Sequence, residues 1–118
     1  MAPTTIYGQK ASTAQSGREK AKHGNPIKMS EIMATLDGPA YVERTCVTDP
    51  KNVRNTKRAI KKALTLQTEK KGFTMVEVLS ACPTYWNKTP VDSLKWIDEV
   101  LSKHFPLGVF VDTEGGKQ

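Results

Sequence analysis

A length of 118 residues with 37% apolar content allows one modest domain, or part of one, whose core is small for the length or completed by another chain. No apolar run approaches the ~18 residues of a membrane span and Met1 to Lys20 has no apolar leader core, so a cytoplasmic protein without membrane contact is expected. The net charge of +6, from 18 basic and 12 acidic residues, is compatible with nucleic-acid binding. The excess is local, however: Lys51, Arg54, Lys57, Arg58, Lys61, Lys62, Lys70 and Lys71 fall in one stretch.

Residues 1–25 are rich in Thr, Ser, Ala, Gly and Lys without apolar periodicity, and read as an extended loop or mobile tail. A ligand-covering loop ordered in a larger assembly is the other reading. Ser30 is placed to cap a short helix carrying Ile32, Met33 and Leu36, stopped by Gly38-Pro39. Tyr41 to Val47 is β-prone and reads as a strand. Asp49 before Pro50 is an N-cap followed by a first-turn proline. The helix it opens runs to about Lys70, with Val53, Ile60, Ala63, Leu64 and Gln67 on one face, basic residues on the other, and Gly72 at its end. Phe73 to Leu79 is a second strand, and Ser80 to Thr89 a loop. Pro90 to Lys103 is a third helix, with Leu94, Ile97 and Leu101 on one face. Phe105 to Val111 is a short apolar closing segment.

The order is therefore α-β-α-β-α, and strands joined by helices of this length imply parallel crossovers in an α/β sheet. Two strands cannot cover both faces of such helices, which points to half of a doubly wound domain with edges that need a partner.

Cys82, in SACPTYW just past the second strand, lies where ligands gather in open α/β sheets. A Cys–Pro loop can hold a thiolate toward a cluster, while a lone cysteine there also serves as a small packing residue. A [4Fe–4S] cluster needs four cysteines, and this chain has Cys46 and Cys82 alone. Cys46, in ERTCV, reads as structural, and both thiols as reduced. His23 and His104 have no spaced partner for a metal site or triad. Trp86 and Trp96 read as packing anchors. No nucleotide, P-loop or nucleophile-elbow motif is present.

Three stretches go further. MAPTTIYGQKASTA, GPAYVERTCVTDPKNVRNTKRAIKKAL, and GFTMVEVLSACPTYW followed by TPVDSLKWIDE and FPLGVF resemble, in this order, segments of 2-oxoacid:ferredoxin oxidoreductase β subunits. The pattern is closer to the 2-oxoglutarate and 2-oxoisovalerate members than to the pyruvate enzymes. The resemblance implies the C-terminal half of a doubly wound thiamine-diphosphate-binding domain with an extended N-terminal segment. Residues 1–25 would be the loop after the diphosphate motif, 26–111 the C-terminal part of that domain, and 112–118 a polar tail.

The implied reaction is oxidative decarboxylation of a 2-oxoacid to an acyl-coenzyme A with reduction of ferredoxin. It uses thiamine diphosphate, magnesium (Mg2+) and a [4Fe–4S] cluster in the full complex, where the cofactor supplies the hard chemistry. By the resemblance, Cys82 matches the last of four cluster cysteines, and Thr4 and Thr5 line the cofactor pocket. Partners implied are the remainder of the β subunit or its N-terminal counterpart, the α and other subunits, and ferredoxin, without nucleic acid. The family's C-x-x-C, G-D-G-D and magnesium-binding Asn are missing from this sequence. A truncated subunit, split gene product or misassigned start is therefore expected, inactive alone and binding neither cofactor nor cluster. The competing reading is a small basic α/β module that contacts nucleic acid or an acidic protein through the helix at 51–71, where no aromatic residues are interleaved for base stacking. A third is a degenerate fragment with a packing or regulatory role.

Overall fold

The computed structural model of the chain describes residues 1–115; the last three residues of the expected 112–118 tail lie outside the described residues. In chain order the elements are α1 (Lys20–His23), α2 (Met29–Ala34), β1 (Pro39–Cys46), α3 (Pro50–Thr68) and β2 (Phe73–Leu79). There follow α4 (Pro83–Trp86), α5 (Pro90–Trp96), a π-helical turn (Ile97–Leu101), α6 (Ser102–His104) and β3 (Gly108–Asp112). They form two compact units: a sheet unit, Met29–Leu79 with the segment from Pro106 on, and a loop unit, Met1–Lys28 with Ser80–Phe105.

In the sheet unit the strand order is β2-β1-β3, with β1 parallel to β2 and antiparallel to β3. The α/β class and the β1-α3-β2 crossover are as expected. The closing apolar segment contributes more than a cover: Gly108–Asp112 pairs with β1 as a third strand. With neighbours on both edges, β1 is the central strand and buried along nearly its whole length.

α3 begins as anticipated. The Asp49 carboxylate accepts the Asn52 N–H at 2.8 Å, and Pro50 fills the first turn. The helix lies on the sheet with a different face from the expected one. Thr56, Ala59, Ala63 and Leu66 are buried, whereas Val53, Ile60, Leu64 and Gln67 are exposed. Small side chains at 59 and 63 let the backbone approach Tyr41 and Val76 of the sheet, and the Thr56 hydroxyl is satisfied by the Cys46 carbonyl at 2.8 Å. Aliphatic bulk at 60 and 64 is left outside. Gly72 follows with φ +140°, and a Cβ there would stand 2.9 Å from the Gly38 carbonyl oxygen, so this close chain crossing requires glycine.

α2 starts one residue before Ser30, whose fully buried hydroxyl donates to the Glu77 carboxylate instead of capping. Glu77 also receives Arg44 of the central strand, and Arg44 is fully buried.

The loop unit is held by backbone and side-chain bonds more than by regular elements. The Arg18 guanidinium is buried and donates to the carbonyls of Ala2, His23 and Gly24 at 2.9, 3.2 and 3.3 Å. This gives residues 1–28 a defined course without apolar periodicity, because one cation gathers carbonyls from both ends of the segment. Thr89 caps α5 by accepting the Asp92 N–H at 3.1 Å. The expected third helix is interrupted by the π-helical turn, which buries Ile97 and Leu101. Among the described residues, no helix is long and apolar enough to cross a membrane.

A candidate cofactor cavity around Cys82 and Tyr85

Within the loop unit lies a cavity of about 380 Å³, and Thr4, Thr5 and Cys82 all line it, together with Thr13, Tyr85 and Trp86. The structure thus brings together the three residues singled out from the sequence, although 77 positions separate Thr5 from Cys82. Thr5 is buried and Thr4 half-buried. Cys82 is exposed and free, just before the short α4, with Pro83 stiffening the backbone after it.

Tyr85 organises this cavity. Its phenolic oxygen accepts the Ala2 N–H at 3.1 Å and lies 2.8 Å from the Thr13 hydroxyl, while its backbone carbonyl accepts the Ser12 N–H at 2.9 Å. The Thr13 bond, aided by the Ala2 N–H and the Thr5 hydroxyl, lowers the phenol below its ordinary value of 10.0 against the opposing effect of burial. Donors converging on one oxygen favour its charged form. Sequence reasoning missed Tyr85 and Thr13. The signal available was the i, i+3 spacing of Cys82 and Tyr85 across one helical turn.

The remaining candidates are dispersed. Cys46 is buried, with its Sγ 3.5 Å from the Thr48 hydroxyl, a packing position. The His23 Nδ1 accepts the Glu19 N–H at 3.0 Å, a local turn contact. His104 stacks edge-on against Phe105, with ring centroids 4.9 Å apart. Among the described residues there is no group of three or more His, Cys, Asp or Glu able to hold a metal ion.

Among the described residues, no charged side chain lines the cavity. Its hydroxyls can donate to a polar ligand, and Trp86 and Tyr85 offer aromatic walls. It does not supply the carboxylate oxygens that favour Mg2+, and one thiol supplies one of four cluster ligands. These residues fit as a contribution to a cofactor site and do not complete one.

Over 112 residues, 95% of its length, the chain is 39% identical to the ketoisovalerate oxidoreductase subunit VorA of Methanothermobacter thermautotrophicus, and covers 24% of that protein. The VorA subunit of Methanothermobacter marburgensis is 38% identical, with 95% of this chain and 23% of that protein covered. The 2-oxoglutarate synthase subunit KorB of Methanocaldococcus jannaschii is 36% identical, with 84% of this chain and 34% of that protein covered. The chain resembles a stretch of 2-oxoacid:ferredoxin oxidoreductase subunits. It spans about a quarter of the VorA subunits and about a third of KorB. No family model and no solved structure matches it. The similarity to VorA extends over both structural units, since it takes in all but a few residues of the chain.

Proposed function

We propose that this chain serves as the C-terminal portion of the thiamine-diphosphate-binding β subunit of a 2-oxoacid:ferredoxin oxidoreductase, in the cytoplasm. The whole enzyme would convert a 2-oxoacid and coenzyme A to an acyl-coenzyme A, carbon dioxide and reduced ferredoxin. The observation that carries this reading is the shared cavity: Thr4, Thr5 and Cys82 line one space, and the sequence similarity to 2-oxoacid oxidoreductase subunits gives that space a chemical context.

In this reading Thr4 and Thr5 present hydroxyls to the cofactor, and Cys82 is one thiolate ligand of a [4Fe–4S] cluster. Tyr85 keeps the threonine loop against the cysteine turn. When bound, thiamine diphosphate with Mg2+ supplies the decarboxylation chemistry, and the protein's part is to position it. The chain alone is inactive, because the remaining cluster and diphosphate ligands come from the rest of the β subunit or an N-terminal counterpart. The α and other subunits and ferredoxin complete the assembly.

Anaerobic co-expression with a partner carrying C-x-x-C and G-D-G-D motifs tests this. The expected result is a co-purifying complex that reduces a viologen dye with 2-oxoisovalerate or 2-oxoglutarate and coenzyme A, while the isolated chain reconstituted with iron and sulfide forms no stoichiometric cluster. A full cluster or tight thiamine diphosphate binding on the isolated chain, or an assembled complex in which Cys82→Ala leaves cluster content intact, would overturn it.

A further inference from the structure

The outer face of α3 is not an ordinary solvated helix surface. Between Pro50 and Thr68 the helix carries Lys51, Arg54, Lys57, Arg58, Lys61 and Lys62 and no acid, so this one element holds a charge of +6 (six cations minus no acids), equal to the net charge of the chain. Lys62 is tied to Asp112. Among the described residues the other five form no salt bridge.

Aliphatic side chains run along one edge of this basic surface. Ile60 is 42% exposed and Leu64 61%, four residues apart and so stacked on one side of the helix. They floor a groove of about 440 Å³, flanked by Lys57, Lys61, Thr65 and Thr68. The adjacent side of α3 is buried on the sheet through Thr56, Ala59, Ala63 and Leu66. The apolar face of the helix is therefore wider than the sheet covers, and its uncovered edge borders the basic row.

We propose that this face of α3 docks an acidic amphipathic helix of another protein chain: Ile60 and Leu64 receive its aliphatic stripe, and Lys57 and Lys61, a single row beside them, pair with carboxylates along one flank of that stripe. Charge complementarity selects the partner. A helix with an acidic row beside an apolar row matches a groove with an aliphatic side and a basic side. Nucleic acid would satisfy the cations but leave Ile60 and Leu64 in water, and the face offers no aromatic ring for base stacking. The inference is independent of the activity proposed for the loop unit.

Fluorescence polarisation of the full chain with a labelled synthetic helix, leucine-striped and glutamate-flanked, provides the test, with a scrambled peptide of the same composition and a DNA duplex as competitors. The helical peptide is expected to bind in preference to both. I60S/L64S and K57E/K61E should each weaken it about tenfold or more, roughly 1.4 kcal/mol or above. K57E/K61E should bind a lysine-flanked version of the peptide instead, which shows that this variant retains its fold. Equal binding of the scrambled peptide, indifference to I60S/L64S, tighter binding of the duplex, or self-association through the same residues would overturn the proposal.

Discussion

Arg44 and Glu77 face each other in the parallel register of β1 and β2, and the Arg44 Nε donates to the Glu77 Oε2 at 2.9 Å. Arg44 has no exposed surface; Glu77 retains 14%. The guanidinium also reaches the Glu31 carboxylate, at 2.9 Å through Nη1, and the Pro106 carbonyl at 3.1 Å. It lies 5.1 Å from the Phe110 ring centroid. Burial alone would push its pKa down, but the two carboxylates prevail and hold it above the ordinary value. One cation thus joins α2, β1 and β2 and the chain leading into β3.

Removing that cation leaves Glu77 nearly buried without its counter-charge. Arg44→Leu is expected to destabilise the chain by about 3–5 kcal/mol, and the double variant Arg44→Leu/Glu77→Leu to recover much of that loss. Urea midpoints of the two single variants and the double variant, closed as a thermodynamic cycle, check this.

Tyr85→Phe deletes the hydroxyl that meets Ala2 and Thr13 but keeps the ring and the Ser12 N–H bond to its carbonyl. A cost of about 0.5–1.5 kcal/mol is expected. It should appear locally, as faster amide hydrogen exchange at Ala2 and its neighbours, with α3 and the sheet unaffected.

The two thiols should differ sharply in reactivity. Cys82 is exposed and Cys46 is 1% accessible. Iodoacetamide under native conditions should label Cys82 alone, with Cys46 following only in denaturant. Peptide mass spectrometry distinguishes them. Rapid native labelling of Cys46 would contradict the packing described for β1.

Acid should weaken the fold through His104. Burial, then the nearby Lys28 charge, lowers its pKa below the ordinary 6.5. A histidine held neutral in the folded state contributes stability that is present above the unfolded pKa and lost as pH falls through the folded one, since the unfolded chain binds the proton first. Unfolding free energy should therefore decline as pH falls below the ordinary histidine value of about 6.5. His104→Gln should flatten that part of the profile in urea titrations.

The elements announced by local chemistry were readable in the sequence. Asp49-Pro50 and Gly72 bracket α3, and the β-prone run FTMVEVL marks β2, because caps, breakers and strand propensity act within a few residues. What depends on distant partners was not. The burial of Arg44 requires two carboxylates, 13 and 33 positions away. The docked face of α3 follows from how closely Ala59 and Ala63 admit the sheet, which favours small residues over the larger Ile60 and Leu64. β3 is a strand because β1 offers it an edge. Thr4, Thr5 and Cys82 were each identified by resemblance, but their meeting in one cavity depends on the bonds of Tyr85 to Ala2 and Thr13, 83 and 72 positions away.

That meeting also has a timetable. Thr13 and Tyr85 are 72 positions apart, and the loop unit is closed by segments from both sides of the intervening strands. At roughly 5–20 residues per second of synthesis, Thr13 waits about 4–14 s before Tyr85 is made. The whole β1-α3-β2 crossover is translated within that interval, so the threonine side of the cavity stays open until chain beyond the second strand has been made.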